Sequence, residues 1–390
     1  MDAMNGVTAS LGFSAGGIAA GIKGDGGRDL AIVTAEATVP AAAVFTRSRT
    51  AAPPVVLARR RIANGRLRAI LLNSGCANAA TGAAGMEAAL ATTRSAAEAL
   101  ECRPEDVMPC STGPIGSRLP VERVRDGIGR LIAASGNGDR HADFAAEAIM
   151  TTDTVPKQVV CQGEGYVVGG MAKGAGMLRP DMATMLAVLT TDAEVDPGTL
   201  ERALHDAVDV SFNSINIDGC TSTNDTVVAV ASGASGRRPI AESFTDMLAS
   251  ACKDLALKIA RDAEGASKVV TIRVLGAVDD GEARSAGMTI ADSALVRASF
   301  YGGDPNWGRI VAALGVADVA LDAEHIEIRF GEYLVATAGT GIPFDEEVVA
   351  RRLVAGDFTV SVRIGEGPGR AEILTTDLTP EYVQFNGGRS

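Results

Sequence analysis

The sequence predicts an α/β (α+β) fold of layered sheets sandwiched between helices. Three observations point there. The chain has 390 residues, 46% of them hydrophobic, which is ample for a large core in two or three domains or one big layered unit. Short apolar runs of strand length alternate with amphipathic helical stretches along the whole chain. The two kinds interleave without a strict βα repeat, which favours sheets packed between helices.

Taken in order, Arg68–Asn73 and Val107–Cys110 read as strands, and Met86–Leu100 and Val121–Ser135 as helices. A Gly/Asn/Asp loop at Ser135–Arg140 leads to a helix at Ala142–Met150. Strands follow at Lys157–Gln162 and Gly165–Gly170, then a Gly-rich turn and the apolar run Met185–Leu189. A helix at Leu200–Phe212 precedes the strand Thr226–Ala231. Ala241–Glu264 has a clear 3.6-residue period, with Phe244, Met247, Leu248, Ala251, Cys252, Leu255 and Ile259 on one face. Strands are expected at Val269–Val274, Ile326–Phe330, Phe358–Ile364 and Arg370–Thr375, with helices between them.

Charge and composition exclude several functions. The net charge is −12 and no Lys/Arg run breaks it, so nucleic acid and anionic membrane are poor partners. A small cationic substrate is compatible with that surface. The six cysteines form no C-x-x-C pair and read as reduced thiols of a cytoplasmic protein. No run reaches the ~18 apolar residues of a membrane span. Leu11–Ile22 is weakly apolar and lacks a basic flank, so it reads as fold and not as a signal peptide. Gly16–Gly21 and Gly365–Arg370 depart from phosphate-loop patterns and read as turns. Only His141, His205 and His325 occur, and none neighbours a nucleophile or metal-ligand motif. A Ser-His-Asp triad or a histidine-bound metal is therefore not expected, and a general base must be some other group.

The segment Met171–Thr184, MAKGAGMLRPDMAT, could supply one. Gly174 and Gly176 permit unusual backbone angles, Pro180 restrains Arg179, and Ala183 leaves the Ala183–Thr184 peptide open to close approach. Such a turn could strain that peptide against the Thr184 hydroxyl. Cleavage there would free an α-amine with an ordinary pKa of about 7.7–8.0, suited to a general base. The residues alone leave an ordinary Gly/Pro loop before a buried strand as the competing reading. CSTGPIG at Cys110–Gly116 follows a strand and precedes a helix. It could offer an oxyanion hole from the Thr112 hydroxyl and the Gly113 N–H, or a plain strand-to-helix cap. Glu264, read as the end of the long helix with Gly265 as its cap, could be a ligand or a solvated carboxylate. Lys173 could hold a substrate carboxylate or face water.

At these residues the chain resembles the ArgJ family, the ornithine acetyltransferases (glutamate N-acetyltransferases) of arginine biosynthesis. The likeness covers nearly the whole chain. It rests on KGAGMLRPDMATMLAVLTTDA (Lys173–Ala193), VFTRSR (Val44–Arg49), NSGCANAATG (Asn73–Gly82), CSTGPIG, IMTTDTVPKQ (Ile149–Gln158), DGCTSTNDT (Asp218–Thr226), DAEGASK (Asp262–Lys268) and GGDPNWGR (Gly302–Arg309).

The resemblance implies an N-terminal-nucleophile-like architecture of the kind shared by ArgJ and the DmpA-type aminopeptidases. It implies cleavage into Met1–Ala183 and Thr184–Ser390, with the pieces staying together and assembling further, as a heterotetramer with two of each. Thr184 would be both the cleavage residue and the acetyl-accepting nucleophile, with Thr112 and Gly113 as the oxyanion hole. Thr151, Lys173, Thr184, Glu264 and Asn386 would contact the amino-acid substrate, with Thr152 the near alternative to Thr151. Acetyl would pass from N-acetylornithine to glutamate, releasing ornithine. No cofactor is implied, although some members use acetyl-CoA as acetyl donor. One departure is visible: the family ends with a Ser or Thr five residues after the Asn of Y-V-x-x-N, whereas this chain stops at Ser390, four after Asn386. That puts the terminal contact in doubt. The rival readings are an aminopeptidase or amidase with the same nucleophile, a related acetyltransferase of secondary metabolism, and a self-cleaving binding protein without turnover.

Overall fold

The computed structural model of the chain describes residues 6–179 and 185–388; Ala183, Thr184 and Ser390 lie outside the described residues. In chain order the elements are β1 (Phe13–Ile18), β2 (Leu30–Phe45), α1 (Pro53–Arg61), β3 (Arg66–Asn73), α2 (Gly82–Ala99), β4 (Val107–Ser111), α3 (Val121–Ala133), α4 (Asp139–Ile149), β5 (Lys157–Gln162), β6 (Val167–Lys173), β7 (Leu186–Thr191), α5 (Pro197–Asp209) and β8 (Thr226–Ala231). There follow α6 (Ala241–Arg261), β9 (Val269–Ala277), α7 (Asp280–Asp292), α8 (Ala294–Gly302), α9 (Trp307–Leu314), β10 (Glu327–Phe330), β11 (Tyr333–Thr337), β12 (Thr340–Gly341), α10 (Glu346–Val354), β13 (Phe358–Arg363), β14 (Gly369–Thr376) and α11 (Pro380–Gly387). The chain divides into two compact units, one of residues 1–175, 181–213 and 221–259, the other of residues 176–180, 214–220 and 260–390.

The first unit is built on one sheet in the order β4-β3-β2-β8-β7-β6-β5, with β1 added on β2. The pairs β3–β4 and β7–β8 are parallel and the rest antiparallel. Side chains alternate across a strand, so each strand serves two cores. Ala31, Val33, Ile70 and Leu72 pack with Ala142, Ala145 and Ile149 of α4. Their neighbours Leu30, Ile32, Ala69 and Leu71 pack with Ala88 and Ala96 of α2 and Val124, Ile128 and Leu131 of α3. This unit has the predicted sandwich, and each fully buried Leu or Ile contributes about 1.5–3 kcal/mol by leaving water. All six residues of β7 and all six of β8 are buried, as befits strands in mid-sheet.

The second unit holds a sheet in the order β12-β11-β10-β13-β9-β14. Val270, Ile272 and Val274 face the core with Ala283, Ala286 and Ile290 of α7 and Phe300 of α8. Arg273, between them, pairs at the surface with Glu372 on β14 at 2.7 Å. Here α7 and α8 cover one face of the sheet, and the expected α/β architecture of sheets and helices holds.

Other boundaries depart from expectation in instructive ways. Gly16 and Gly17 lie in β1 and not in a turn. Helix α6 stops at Arg261, so Glu264 sits in the turn beyond it and Gly265 is no helix cap. His325 falls in a short 3-10 turn, and β10 starts at Glu327.

Candidate active site

Strand β4 ends at Ser111 beside the end of β3, and the chain then makes a single bridge between Thr112 and Cys76. The Thr112 N–H donates to the Asn73 carbonyl at 2.9 Å, and the Cys76 N–H to the Thr112 carbonyl at 3.1 Å. The Ser111 hydroxyl donates to Asn73 Oδ1 at 2.6 Å, and Asn73 Nδ2 to the Cys76 carbonyl at 2.9 Å. These bonds fix the loop. Gly113 has φ +136°, and a Cβ there would come within 2.5 Å of the Cys76 nitrogen, so only glycine fits. Its N–H has no acceptor among the described residues. Cys110 cannot compete as a nucleophile, because burial pushes its thiol up to about 12.

Lys173 ends β6 and is buried, with Nζ 3.4 Å from Thr112 Oγ1. An ammonium only donates, so Thr112 accepts from it and keeps its own proton for another acceptor. Behind Lys173 lies Asp153. Its Oδ1 accepts from Lys157 Nζ at 2.6 Å and from the Gly174 N–H at 2.7 Å, and its Oδ2 from the Thr151 N–H at 3.0 Å. Burial by itself would raise the Asp153 carboxyl, but the Lys173 and Lys157 ammoniums and the Thr151 N–H hold it down at about 2. Asp153 thus fixes the backbone at Thr151 and beside Lys173. Thr152 is exposed.

Strands β6 and β7 pair with Lys173 opposite Leu186, so residues 174–185 form their connection, which contains Ala183 and Thr184. Those two lie outside the described residues, but Met185 is held on both sides. Its N–H donates to Asp225 Oδ1 at 3.0 Å, and its carbonyl accepts from the Thr226 N–H at 3.2 Å. In the second unit, the Asp218 carboxylate accepts from the N–H groups of Met177 (2.6 Å) and Leu178 (2.9 Å). Arg179 pairs with Asp292 at 3.0 Å. Gly176 is needed for space: a Cβ there would come within 2.4 Å of the Glu264 carboxylate. Among the described residues of this stretch, Gly174 (φ +156°) and Met177 (φ +58°) have positive φ, the first at a position where the sequence anticipates it. Asn386 is exposed on α11, where its Nδ2 donates to the Tyr382 carbonyl at 3.1 Å.

The first unit therefore gathers Thr112, Gly113, Lys173 and Thr151, and the second sets Glu264 against Gly176. Asp153, Lys157, Asn224 and Asp225 went unnoticed in the sequence. IMTTDTVPKQ and DGCTSTNDT contain all four, but the motifs by themselves point only to the threonines of the first. The acid four residues before a lysine, Asp153 and Lys157, was the available signal. The histidines stay apart from this chemistry. His325 pairs at the surface with Asp322 at 2.7 Å, His205 is exposed on α5, and His141 lies on α4. All six cysteines are unpaired. Among the described residues, no helix is long and apolar enough to cross a membrane.

Comparison with known proteins agrees with the resemblance seen in the sequence. The profile of the ArgJ family matches residues 14–389. The arginine biosynthesis bifunctional protein ArgJ of Mycolicibacterium paratuberculosis is 46% identical, over 99% of this chain and 96% of that protein. Its counterpart in Thermobifida fusca is 44% identical, over 98% of this chain and 99% of that protein. The crystal structure of ArgJ from Bacillus halodurans aligns with TM-score 0.50 and 38% identity, over 51% of this chain and 97% of that chain. An ornithine acetyltransferase of Mycobacterium tuberculosis, solved with ornithine, aligns with TM-score 0.44 and 47% identity, over 46% of this chain and 96% of that one. With a match along nearly its whole length, this chain belongs to the ArgJ family.

Proposed function

We propose that the chain cleaves itself between Ala183 and Thr184, then transfers acetyl from N2-acetylornithine to glutamate through an acetyl ester on Thr184. In the first reaction Thr184 Oγ attacks the Ala183 carbonyl. The peptide C–N bond breaks, the nitrogen takes the hydroxyl proton, and an ester forms. Water hydrolyses the ester, leaving the Ala183 carboxylate and a Thr184 with free hydroxyl and α-amine. In the second reaction that amine accepts the Oγ proton as Oγ attacks the acetyl carbonyl of N2-acetylornithine. The proton passes to the departing ornithine nitrogen. The α-amine of glutamate then attacks the acetyl ester and restores Thr184.

The observation that carries this reading is the pair of donors after β4. The Gly113 N–H has no acceptor among the described residues, and the Thr112 hydroxyl, accepting from Lys173, has its proton to give. Both would bind the oxyanion. Thr151, Lys173, Glu264 and Asn386 would hold the amino-acid part of the substrate, with Thr152 as the alternative to Thr151. Glu264 suits the cationic end of ornithine, and Lys173 suits a carboxylate. Sheet topology supports a cut that leaves the pieces together. Strands β7 and β8 of the second piece lie between β2 and β6 of the first. Cutting one connection breaks no strand pair. The Bacillus halodurans chain, about half the length of this one and matched almost throughout, is consistent with a divided chain. Two copies of each piece in a cytoplasmic heterotetramer complete the proposal.

Intact mass of the purified protein, before and after N2-acetylornithine, tests it. Two chains meeting at Ala183/Thr184 are expected, with one acetyl group gained by the second. A single chain, or free acetate without glutamate, overturns self-cleavage or transfer respectively. Acetyl-CoA in place of N2-acetylornithine tests the second donor.

A further inference from the structure

Two buried neighbours, Asn224 and Asp225, reach in different directions. Asn224 Nδ2 donates to the Ser111 carbonyl at 2.9 Å and to the Ala77 carbonyl at 2.7 Å. Ser111 immediately precedes Thr112, and Ala77 belongs to the loop that bridges to it. Asp225 Oδ1 accepts from the N–H of Met185, the residue after Thr184. The main chain of the pair is tied down as well: the Asp225 carbonyl accepts from the Thr46 N–H at 3.0 Å, and Thr226 opens β8 opposite Leu186 on β7. Asn224 is 5% exposed and Asp225 is fully buried. Among the described residues, Asp225 Oδ2 has no partner at hydrogen-bond distance.

We propose that Asn224 and Asp225 are positioning residues that set the distance between the nucleophile strand and the oxyanion loop. The inference rests on the reading of Thr184 as nucleophile and of Thr112 and Gly113 as oxyanion donors. Its logic is geometric. Attack and charge stabilisation must meet at one carbonyl, but Met185, which follows Thr184 in sequence, leads into β7 while Thr112 follows β4, and β2, β3 and β8 separate those strands. The sheet alone leaves their spacing to accumulated twist. A dipeptide with one side chain on each end of that span fixes it directly. The two members need opposite chemistry. Asn224 must donate, because both its contacts are carbonyls. Asp225 must accept, because its contact is an N–H. Burial pushes the Asp225 carboxyl well above the usual carboxylate range, and an amide oxygen in its place can accept the same Met185 N–H.

Three variants test this: Asp225→Ala, Asp225→Asn and Asn224→Asp. Each is read for the half-life of the uncleaved chain and for kcat and KM of acetyl transfer after maturation, beside its thermal unfolding. A misplacement of about 1 Å can cost roughly a hundredfold in rate, so Asp225→Ala and Asn224→Asp should slow cleavage and lower kcat by about that order, with KM little changed. Asp225→Asn keeps the acceptor and should restore most of the rate lost in Asp225→Ala. The assignment is overturned if Asp225→Ala or Asn224→Asp matures and turns over like the wild type, or if Asp225→Asn is as slow as Asp225→Ala. Should Asp225→Ala fail to fold, the contrast of Asp225→Asn with Asn224→Asp decides alone. A wild-type chain that does not begin a fragment at Thr184 would refute the nucleophile reading. Wild-type maturation with unaffected variants would refute only the positioning role.

Discussion

Two buried carboxyls flank the connection between β6 and β7, and their surroundings push them in opposite directions. At the incoming end Asp153 meets the Gly174 N–H and Lys157 Nζ, close to Lys173, and is held ionised. At the outgoing end Asp225 meets the Met185 N–H, and burial outweighs the pull of Lys173 and pushes its carboxyl well above the usual range. Depth does not separate them, since Asp153 is only 8% exposed and Asp225 is fully buried. Company does. A desolvated carboxylate survives when cations repay the loss of water and takes a proton when they do not. One end of the connection is thus fixed by charge, and the other by a hydrogen-bond acceptor.

The strongest way to break the comparison is to remove what the connection carries. Thr184→Ala leaves both carboxyls and their contacts in place. The expected outcome is a single uncleaved chain with no detectable acetyl transfer, because the proposed nucleophile and the proposed source of the base are lost together. Thr184→Ser keeps a hydroxyl and should still cleave. Gel mobility and N-terminal sequencing decide; an active, uncleaved Thr184→Ala would show that the connection only closes the sheet.

The next largest effect is on the charged end. Asp153→Ala leaves Lys157 and Lys173 buried without their shared anion, and losing one partner of a buried pair costs about 3–5 kcal/mol. Asp225→Ala leaves the Met185 N–H without its acceptor and should cost less, about 1–3 kcal/mol. Denaturant unfolding of the two variants measures the difference. Equal losses would mean that Asp153 is not the anchor its contacts suggest.

How far this contrast was legible in the sequence depends on the kind of signal. Thr226–Ala231 and Lys157–Gln162 stand out as strands with their observed bounds, because Val-rich runs between polar breaks favour a pleated, buried surface. β2 stayed hidden, since the Ala41–Ala43 run and Pro40 have low strand propensity and the strand is made by its neighbours. Its register against β3 shifts between Thr34 and Val39, and it pairs with β3 up to Pro40 and with β8 from Ala41. Thr112, Gly113 and Lys173 were legible because each carries a recognisable group in a recognisable motif. Asp153 and Asp225 were not, because their roles lie in contacts across 21 and 40 residues of chain. The 3.6-residue period of α6 carried its apolar face correctly but overran its end, where Asp262 and Ala263 continue the pattern without helical geometry.

A smaller effect is expected at a third carboxylate, Glu264, which lies against Gly176 inside the connection and not at either end. Glu264→Ala should leave cleavage intact and weaken transfer. Loss of the proposed charge-assisted hydrogen bond to ornithine's cationic end would cost about 1.5–3 kcal/mol in kcat/KM for N2-acetylornithine. An unchanged kcat/KM would remove Glu264 from the substrate, and a block in cleavage would move it to the class of Asp153 and Asp225.

Acid sharpens the comparison most finely, because the two carboxyls should answer it with opposite sign. The Asp153 carboxyl is depressed to about 2 from an ordinary 3.8, so its contribution is present above pH 3.8 and is lost as pH falls towards 2. That contribution is about 2 kcal/mol. Asp225 is raised above 3.8, so its protonated form is favoured in the folded chain. Its contribution is full below pH 3.8 and is lost as pH rises through the folded value. Wild type should therefore exceed Asp153→Asn in stability most at neutral pH, with the gap closing between pH 4 and pH 2. Its standing against Asp225→Asn should instead improve as pH falls from neutral. Unfolding free energies of the three proteins, measured across pH 2–7 in one buffer series, give both slopes. Gaps that move in the same direction would show that the two ends of the connection are held by the same kind of group.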